Sequence, residues 1–184
     1  MTQPHFIAIG GTMRAMSSTE RALRKALEIA RERGARTTIL SGEDINFPPY
    51  APENQERSDA ARRYVELLRS ADGIIIGSPG YHGAISGFVK NALDYVEDTN
   101  RDSRCYFDGL PVGAIATAAG WQAAVGTLQQ LRSITHALRG WPTPLGVAIN
   151  TVGTEGDPIE QAHVTSQLTM MVDQMFRFHA GPTL

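Results

Sequence analysis

The ten residues from Gly10 to Thr19 combine two glycines, one arginine and several hydroxyl side chains, a set suited to binding phosphate. They follow the apolar run 6–9 and precede a helical pattern that begins near Glu20, which predicts a strand, a turn and a helix. The first N–H groups of such a helix lack intrahelical acceptors and lie at the positive end of its dipole, so an anion is favoured there. Arg14 adds a charge that can bind phosphate through two hydrogen bonds. The hydroxyl donors are Thr12, Ser17, Ser18 and Thr19.

The same segment has a simpler interpretation. Serine and threonine are common helix N-caps, and a glycine pair often ends a strand. The segment alone therefore leaves open whether it binds phosphate or only starts a helix.

Length and composition limit the classes of protein that this chain can belong to. Its 184 residues predict one domain, 1–184, and the 42% hydrophobic and 20% charged fractions are typical of a globular protein in water. A net charge of −2 argues against nucleic acid as a partner, and the apolar runs are too short to cross a membrane. The single cysteine, Cys105, excludes an internal disulfide, and the histidines lack ligand spacing, so no metal site is expected. We expect a cytoplasmic protein.

Strand and helix patterns alternate along the chain. The predicted strands are 6–9, 37–40, 73–77, 112–116 and 145–149. The predicted helices are 19–33, 58–70, 86–96, 122–138 and a closing helix through 164–178. This alternation predicts an α/β fold, a three-layer sandwich with a five-stranded parallel sheet covered by helices on both faces.

The crossover rule leaves few strand orders for such a sheet. One is the flavodoxin-like order 2-1-3-4-5, whose ligand crevice lies at the carboxyl ends of strands one and three. The glycine-rich segments 10–19 and 78–83 directly follow these two strands. We therefore predict a flavodoxin-like sheet with its binding site between the two segments.

Other α/β folds lack their motifs here. A dinucleotide-binding Rossmann domain needs a third glycine in the first turn, and a P-loop needs Gly-Lys-Ser/Thr; neither is present. An α/β-hydrolase needs Gly-x-Ser-x-Gly, and the glycines around Ser78 have the wrong spacing. A small serine hydrolase using Ser78 and His82, with Asp94 nearby, stays open as an alternative.

Two longer motifs contain the glycine-rich segments: Gly11-Thr12-x-Arg14-x-x-Ser17-x-Thr19-x-x-x-Leu23 and Pro79-x-Tyr81-His82-Gly83-x-x-Ser86-Gly87-x-x-Lys90-Asn91-x-x-Asp94. Together they resemble the NAD(P)H-dependent FMN reductase family. That family has a flavodoxin-like fold and includes quinone and azo-dye reductases and the flavin suppliers of two-component monooxygenases. The resemblance extends from Phe6 to the last helix.

The resemblance implies where FMN would bind. Residues 12–19 would hold the phosphate, 79–83 would wrap the edge of the isoalloxazine ring, and 117–122 would lie at its pyrimidine end. The segment Ala118-Ala119 departs from the glycines or hydroxyls common in the family, and Trp121 is equally compatible with a nicotinamide pocket or with a partly buried core position. The candidate cofactor-binding residues are Thr12, Arg14, Ser17, Ser18, Thr19, Pro79, Gly80, Tyr81, His82, Gly83, Thr117, Gly120 and Trp121.

The implied activity is hydride transfer from C4 of NADPH or NADH to N5 of FMN, then electron transfer to a small-molecule acceptor such as free flavin or a quinone. No protein side chain is then needed as a catalytic nucleophile. The alternatives are a flavodoxin-type electron carrier, which the presence of Arg14 and the near-neutral charge disfavour, and the hydrolase above. The sequence leaves open the acceptor, the choice of nucleotide, and whether FMN stays bound.

The third predicted helix suggests self-association. It carries Phe88, Val89, Leu93 and Val96 beside small residues, more apolar circumference than one sheet face covers. By resemblance, family members pair through this region, so a homodimer or homotetramer with a flavin pocket completed by the neighbouring subunit is expected. A flavin-dependent monooxygenase is a further partner that the resemblance implies.

Overall fold

A parallel sheet forms the middle layer of the protein, in a computed structural model that describes residues 3–54, 56–153 and 155–180. Its strands are β1 (His5–Gly10), β2 (Arg36–Leu40), β3 (Gly73–Tyr81), β4 (Ala84–Ile85), β5 (Pro111–Ala118), β6 (Trp141–Pro142) and β7 (Val147–Asn150). The order is β2-β1-β3-β5, and β6 and β7 both pair with β5 at the far edge. With β6 and β7 together in the fifth place, this is the predicted order 2-1-3-4-5.

The prediction of five strands, all parallel, is wrong in two places. The fifth strand is divided after Thr143, whose N–H still donates to the Val112 carbonyl oxygen at 2.9 Å. The Leu145 N–H bonds to Gln174 Oε1 at 2.9 Å instead of to β5, so the strand predicted at 145–149 starts at Val147. β3 continues to Tyr81, past the predicted end at residue 77, and folds back as the antiparallel strand β4.

Five helices cover the two faces of the sheet: α1 (Ser18–Glu32), α2 (Asp59–Arg69), α3 (Gly87–Asp94), α4 (Trp121–Ala137) and α5 (Ala162–Ala180). Successive residues of a strand point to opposite faces, so Phe6 and Ala8 of β1 join one core while Ile7 and Ile9 join the other. The first core is packed by α1 and α5, and the second by α2, α3 and α4. In the described part of the chain, no helix combines the length and the apolar character that a membrane span requires.

The apolar circumference of α3 is covered by the chain itself. Val89, Leu93 and Val96 are buried, and only Phe88 is partly accessible. The Asn91 carboxamide donates to the carbonyl oxygens of Phe47 and Pro48 at 3.1 and 3.0 Å and accepts from the Tyr50 N–H at 2.8 Å, which fastens the proline-rich loop over the helix. The apolar character of α3 therefore gives no basis for a dimer, because the loop supplies the second apolar surface.

The buried His5 is expected to make the folded protein less stable as the pH falls. Its ring is buried between Ser70 Oγ, 3.2 Å from Nδ1, and Thr38 Oγ1, 2.8 Å from Nε2. Burial, and secondarily the charge of Arg36, lower the pKa of His5 from its ordinary value of 6.5. Between the lowered value and 6.5 the unfolded chain binds more protons than the folded one, so stability falls as the pH drops through this range.

We expect His5→Asn to show a smaller loss of unfolding free energy between pH 7.5 and pH 5.5 than the wild type, although the variant is less stable at both. Urea titrations at the two pH values measure this. The exposed His136, replaced by asparagine, is the control and should keep the wild-type difference. An unchanged pH dependence in His5→Asn contradicts the assignment.

Candidate functional site

A cleft of about 270 Å³ lies where β1, β3 and β5 end. It forms there because the chain leaves β1 for α1 on one face of the sheet and leaves β3 for α3 on the other, which opens a crevice between the two connections. The cleft is lined by Thr12, Arg14, Ser17, Ser18, Thr19, Pro79, Gly80, Tyr81, Thr117, Ala118, Ala119 and Thr151. An adjoining hollow of about 550 Å³ shares Thr12, Arg14 and Tyr81 with it and adds Met13, Ser86 and Phe88.

Most of the predicted site residues thus meet in one cleft. The predicted residues that do not line it are His82, Gly83, Gly120 and Trp121. His82 and Gly83 form the turn between β3 and β4, and Gly120 and Trp121 lie at the start of α4. Trp121 is 56% exposed, so its interpretation as a partly buried core residue is wrong.

The loop between β1 and α1 is a tight turn closed by its own side chains. Gly11 and Met16 have positive φ angles of 97° and 54°. The Thr12 hydroxyl accepts from the Arg14 N–H at 3.1 Å and lies 3.2 Å from the Arg14 carbonyl oxygen. Arg14 itself is exposed and forms no ion pair with any residue in the described ranges, so its guanidinium is available to a ligand.

The start of α1 is fixed by Ser17 and Glu20. Ser17 is the N-cap, and its Oγ accepts from the Glu20 N–H at 3.3 Å. The buried Glu20 carboxylate accepts from the Met16 N–H at 2.8 Å and from Arg24. The N–H groups of Ser18 and Thr19 lie in the first turn, where no intrahelical acceptor exists, and both residues line the cleft.

The interpretation of this segment as a helix start is confirmed, because Ser17 caps α1. Its binding of phosphate stays a prediction. Glu20 was not among the predicted residues. The pattern Ser-x-x-Glu, a capping box, is the sequence signal that could have identified it.

A pair of buried hydroxyls joins the start of α1 to the end of β5. Thr19 Oγ1 and Thr117 Oγ1 are 2.5 Å apart and both side chains are buried, although 98 residues separate them. One hydroxyl donates to the other, so one proton of the pair is left for an acceptor in the cleft that both residues line. This pair therefore adds a hydroxyl donor where the start of α1 meets the end of β5.

The third wall of the cleft is the β3–β4 hairpin. Its turn residues His82 and Gly83 have φ angles of 52° and 83°, and two consecutive positive φ values define the two-residue turn that matches the twist of paired strands. Tyr81 is 54% exposed and lines both the cleft and the adjoining hollow. Glycine adopts the φ of 83° at position 83 without the strain that a side chain would bring.

Ser78 does not have the geometry of a hydrolase nucleophile. It is fully buried, its Oγ accepts from the Ser86 N–H at 2.9 Å and donates to the Pro79 carbonyl at 2.8 Å, and His82 is exposed at the hairpin turn. Asp94 pairs with Lys90 on the surface of α3. The three residues proposed for the hydrolase alternative therefore form no triad.

The remaining side of the cleft is formed by the end of β5 with Ala119 and by the residue after β7. The Gly120 N–H donates to Asn150 Oδ1 at 2.8 Å, and the same oxygen accepts from the Val152 N–H at 3.2 Å. Asn150 ends β7, and the next residue, Thr151, lines the cleft. Sequence reasoning missed both, although the rule that ligands bind at the carboxyl ends of parallel strands applies to this strand as well. Among the described residues, no group of three or more histidine, cysteine or carboxylate side chains could hold a metal ion.

Comparison with known proteins identifies the family. Residues 4–154 match the family model described as NADPH-dependent FMN reductase. The FMN-dependent NADPH-azoreductase of Staphylococcus aureus (strain USA300) is 35% identical over 104 residues, 56% of this chain. The match covers 52% of that relative, so it spans about half the length of the curated relatives that the chain resembles.

Solved structures with this fold are more distant in sequence. RosB, crystallised with the bound intermediate 8-demethyl-8-formylriboflavin-5'-phosphate, superposes with a TM-score of 0.76 at 16% identity, covering 96% of this chain and 79% of RosB. The flavodoxin, WrbA-like protein of Agrobacterium tumefaciens superposes with a TM-score of 0.62 at 16% identity, covering 97% and 98%. These likenesses confirm the predicted flavodoxin-like α/β fold.

The family match covers both motifs of the first 94 residues and the segment after β5, and its description names both FMN and NADPH, the cofactors that the resemblance implied. The chain belongs to the NADPH-dependent FMN reductase family.

Proposed function

We propose that this protein is an NAD(P)H-dependent flavin oxidoreductase that transfers hydride from a nicotinamide nucleotide to FMN and passes the electrons to a small-molecule acceptor. The observation that carries the proposal is the cleft at the ends of β1, β3 and β5, in which Arg14 and the first turn of α1 place phosphate donors beside an accessible hollow. Free flavin, a quinone or an azo compound are the candidate acceptors, the last because the curated relative is an azoreductase.

The residues at the start of α1 fit a phosphate. The helix N-terminus supplies backbone N–H groups and a positive dipole end, and Arg14 supplies a charge. The Thr19–Thr117 pair supplies one hydroxyl proton that has no acceptor in the described protein. These groups would hold the phosphate of FMN.

The hairpin and the start of α4 fit the flat ring. The residues from Pro79 to Tyr81 line the cleft without charged side chains, and Ala118 lies beside Gly80 on the neighbouring strand. α4 begins two residues after Ala119, and the positive end of its dipole would favour negative charge on a ring bound beside this segment. FMN, when bound, supplies the hydride chemistry, and the protein's part is binding, alignment and charge stabilisation.

The colour of the purified protein tests this function. A yellow protein, or one that becomes yellow on addition of FMN, supports flavin binding and contradicts a hydrolase. Bleaching of that colour by NADPH or NADH without oxygen distinguishes a reductase from an electron carrier. A protein that binds FMN and is not bleached by either nucleotide would contradict the proposed activity.

Arg14→Ala is expected to weaken FMN binding about tenfold to a hundredfold, because a hydrogen bond to a charged group contributes roughly 1.5–3 kcal/mol. Riboflavin, which has no phosphate, should bind nearly as before. Quenching of flavin fluorescence gives both affinities. Arg31→Ala, at the far end of α1, is the control and should change neither affinity. Equal weakening of FMN and riboflavin by Arg14→Ala would show that Arg14 does not bind the phosphate.

We also propose that the active form is a homodimer or homotetramer. Support comes from the mouth of the cleft rather than from α3: large apolar side chains there are about half exposed. They are Met13 at 49%, Met16 at 57%, Tyr81 at 54%, Trp121 at 56% and Val152 at 49%. A second subunit covering them would complete the flavin pocket. A monomer with full activity at micromolar concentration, in sedimentation measurements, would contradict this.

Cytoplasmic location and a flavin-dependent monooxygenase as partner belong to the same proposal. Their support is the family and the near-neutral charge of the chain.

A further inference from the structure

We propose that Gln130 is a positioning residue for the flavin, acting through the β3–β4 hairpin. Gln130 lies on α4 and lines neither the cleft nor the adjoining hollow. Its carboxamide instead binds the backbone of the hairpin at the turn and in β4. This inference rests on the proposed function, since it assigns a role within the flavin site.

The two hydrogen bonds of Gln130 are complementary. Nε2 donates to the Gly83 carbonyl oxygen at 2.9 Å, and Oε1 accepts from the Ile85 N–H at 3.2 Å. One side-chain amide therefore satisfies one acceptor and one donor that are two residues apart. A neighbouring strand presents its backbone in the same way, so the carboxamide substitutes for a strand.

The hairpin register explains why these backbone groups need such a partner. Tyr81 pairs with Ala84 and Gly80 with Ile85 around the two-residue turn. In this arrangement the pair nearest the turn exchanges its hydrogen bonds, and the Ile85 N–H points away from β3. β4 is a two-residue strand at the edge, and Gln130 completes that edge.

The hairpin packs against the face of α4 that carries Gln130. A Cβ at Gly80 would come within 2.6 Å of Thr127 Oγ1, and a Cβ at Gly126 would lie 3.6 Å from the Gly83 carbonyl oxygen. Gly126 is one helical turn before Gln130, and a Cβ there would be in ordinary contact with the turn that Gln130 holds. At the base of the hairpin, Ser78 Oγ accepts from the Ser86 N–H. The hairpin is thus held at its base by Ser78 and near its turn by Gln130.

This arrangement separates the two ends of the cleft. Tyr81 belongs to the hairpin, whereas the phosphate donors belong to the β1–α1 loop and to α1. Loss of the Gln130 contacts would let the turn move away from a bound ring and leave the phosphate end in place. The expected signature is therefore equal weakening of FMN and riboflavin, the opposite of the signature expected for Arg14.

The test uses Gln130→Met, which keeps the length of the side chain and removes both hydrogen bonds. We expect the affinities for FMN and riboflavin to fall together by about fivefold to twentyfold, because the two hydrogen bonds that hold the hairpin are lost. In the protein without flavin, amide hydrogen exchange should rise in residues 80–86 and stay unchanged in 74–77. Gln129→Met, at the exposed neighbouring position, is the matched control and should leave all these values unchanged.

Gln130→Glu is the second variant and also decides the question if the methionine variant does not fold. It keeps an acceptor for the Ile85 N–H and loses the donor to the Gly83 carbonyl. It should show the same equal loss for the two flavins.

Unchanged affinities in both variants, or a loss confined to FMN, would overturn the positioning role while the wild type still binds and reduces FMN. A wild-type protein that binds neither flavin would overturn this inference together with the proposed function. The two failures are therefore distinguished by the wild-type measurement alone.

Discussion

Gly10→Ala is expected to destabilise the folded protein by about 3 kcal/mol or more and to abolish flavin binding. A Cβ at this position would lie 1.8 Å from the Gly77 carbonyl oxygen, on the neighbouring strand β3. That atom is backbone in the middle of the sheet and cannot move aside. Gly10 also has a φ of 138°, which is unfavourable for alanine. For a protein of this size the melting temperature should fall by roughly 6–12 °C.

Gly34→Ala is the matched control for this prediction. Gly34 has a positive φ of 92°, and a Cβ there would meet no heavy atom within 4 Å, so alanine adds only backbone strain, about 1 kcal/mol. Thermal unfolding gives the melting temperature of each variant. The difference between the two temperatures measures the cost of placing a Cβ where β1 closely approaches β3. If the two variants unfold at the same temperature, the contact with Gly77 does not limit the residue at position 10.

Gly83→Val is expected to eliminate flavin reduction while the sheet remains folded. Gly83 has a φ of 83° in the turn of the hairpin, a conformation that a β-branched residue adopts only with strain. A Cβ there meets no protein atom within 4 Å, so the strain is confined to the turn. If the turn borders the flavin ring, as the resemblance implies, a distorted or enlarged turn excludes the ring. The measurements are the melting temperature without flavin and the affinity for FMN.

Gly109→Val separates the two effects. Gly109 has a φ of 74°, is exposed and has open space around it, but it precedes β5 at the opposite end of the sheet from the cleft. Both valine variants should lower the melting temperature to a similar extent, roughly 2–8 °C for 1–2 kcal/mol of strain. Only Gly83→Val should lose FMN binding. Retention of FMN affinity by folded Gly83→Val would show that position 83 supplies a turn and no ligand contact.

The elements of the fold were largely predictable because their signals are local. Apolar runs such as 73–77 and the helical spacing in α1 depend on residues close in sequence. The crossover rule left few strand orders, and the glycine-rich segments after strands one and three favoured the flavodoxin-like order with a cleft between them. The divided fifth strand was missed, because its start depends on Gln174, 29 residues away, which takes the Leu145 N–H.

Residue types at fixed spacing were enough to predict the class of fold, the family resemblance and the phosphate segment around Arg14. The contacts between polar groups of distant elements were found only in the tertiary structure. Thr19 contacts Thr117 across 98 residues, and Gln130 reaches Gly83 across 47, and no local pattern signals either contact. The packing of the loop at residues 47–50 over α3 was equally unpredictable from the sequence. The burial of a helix depends on what packs against it and not on the helix alone. Side-chain partners are set by packing between distant elements, so they become visible only when those elements are in place.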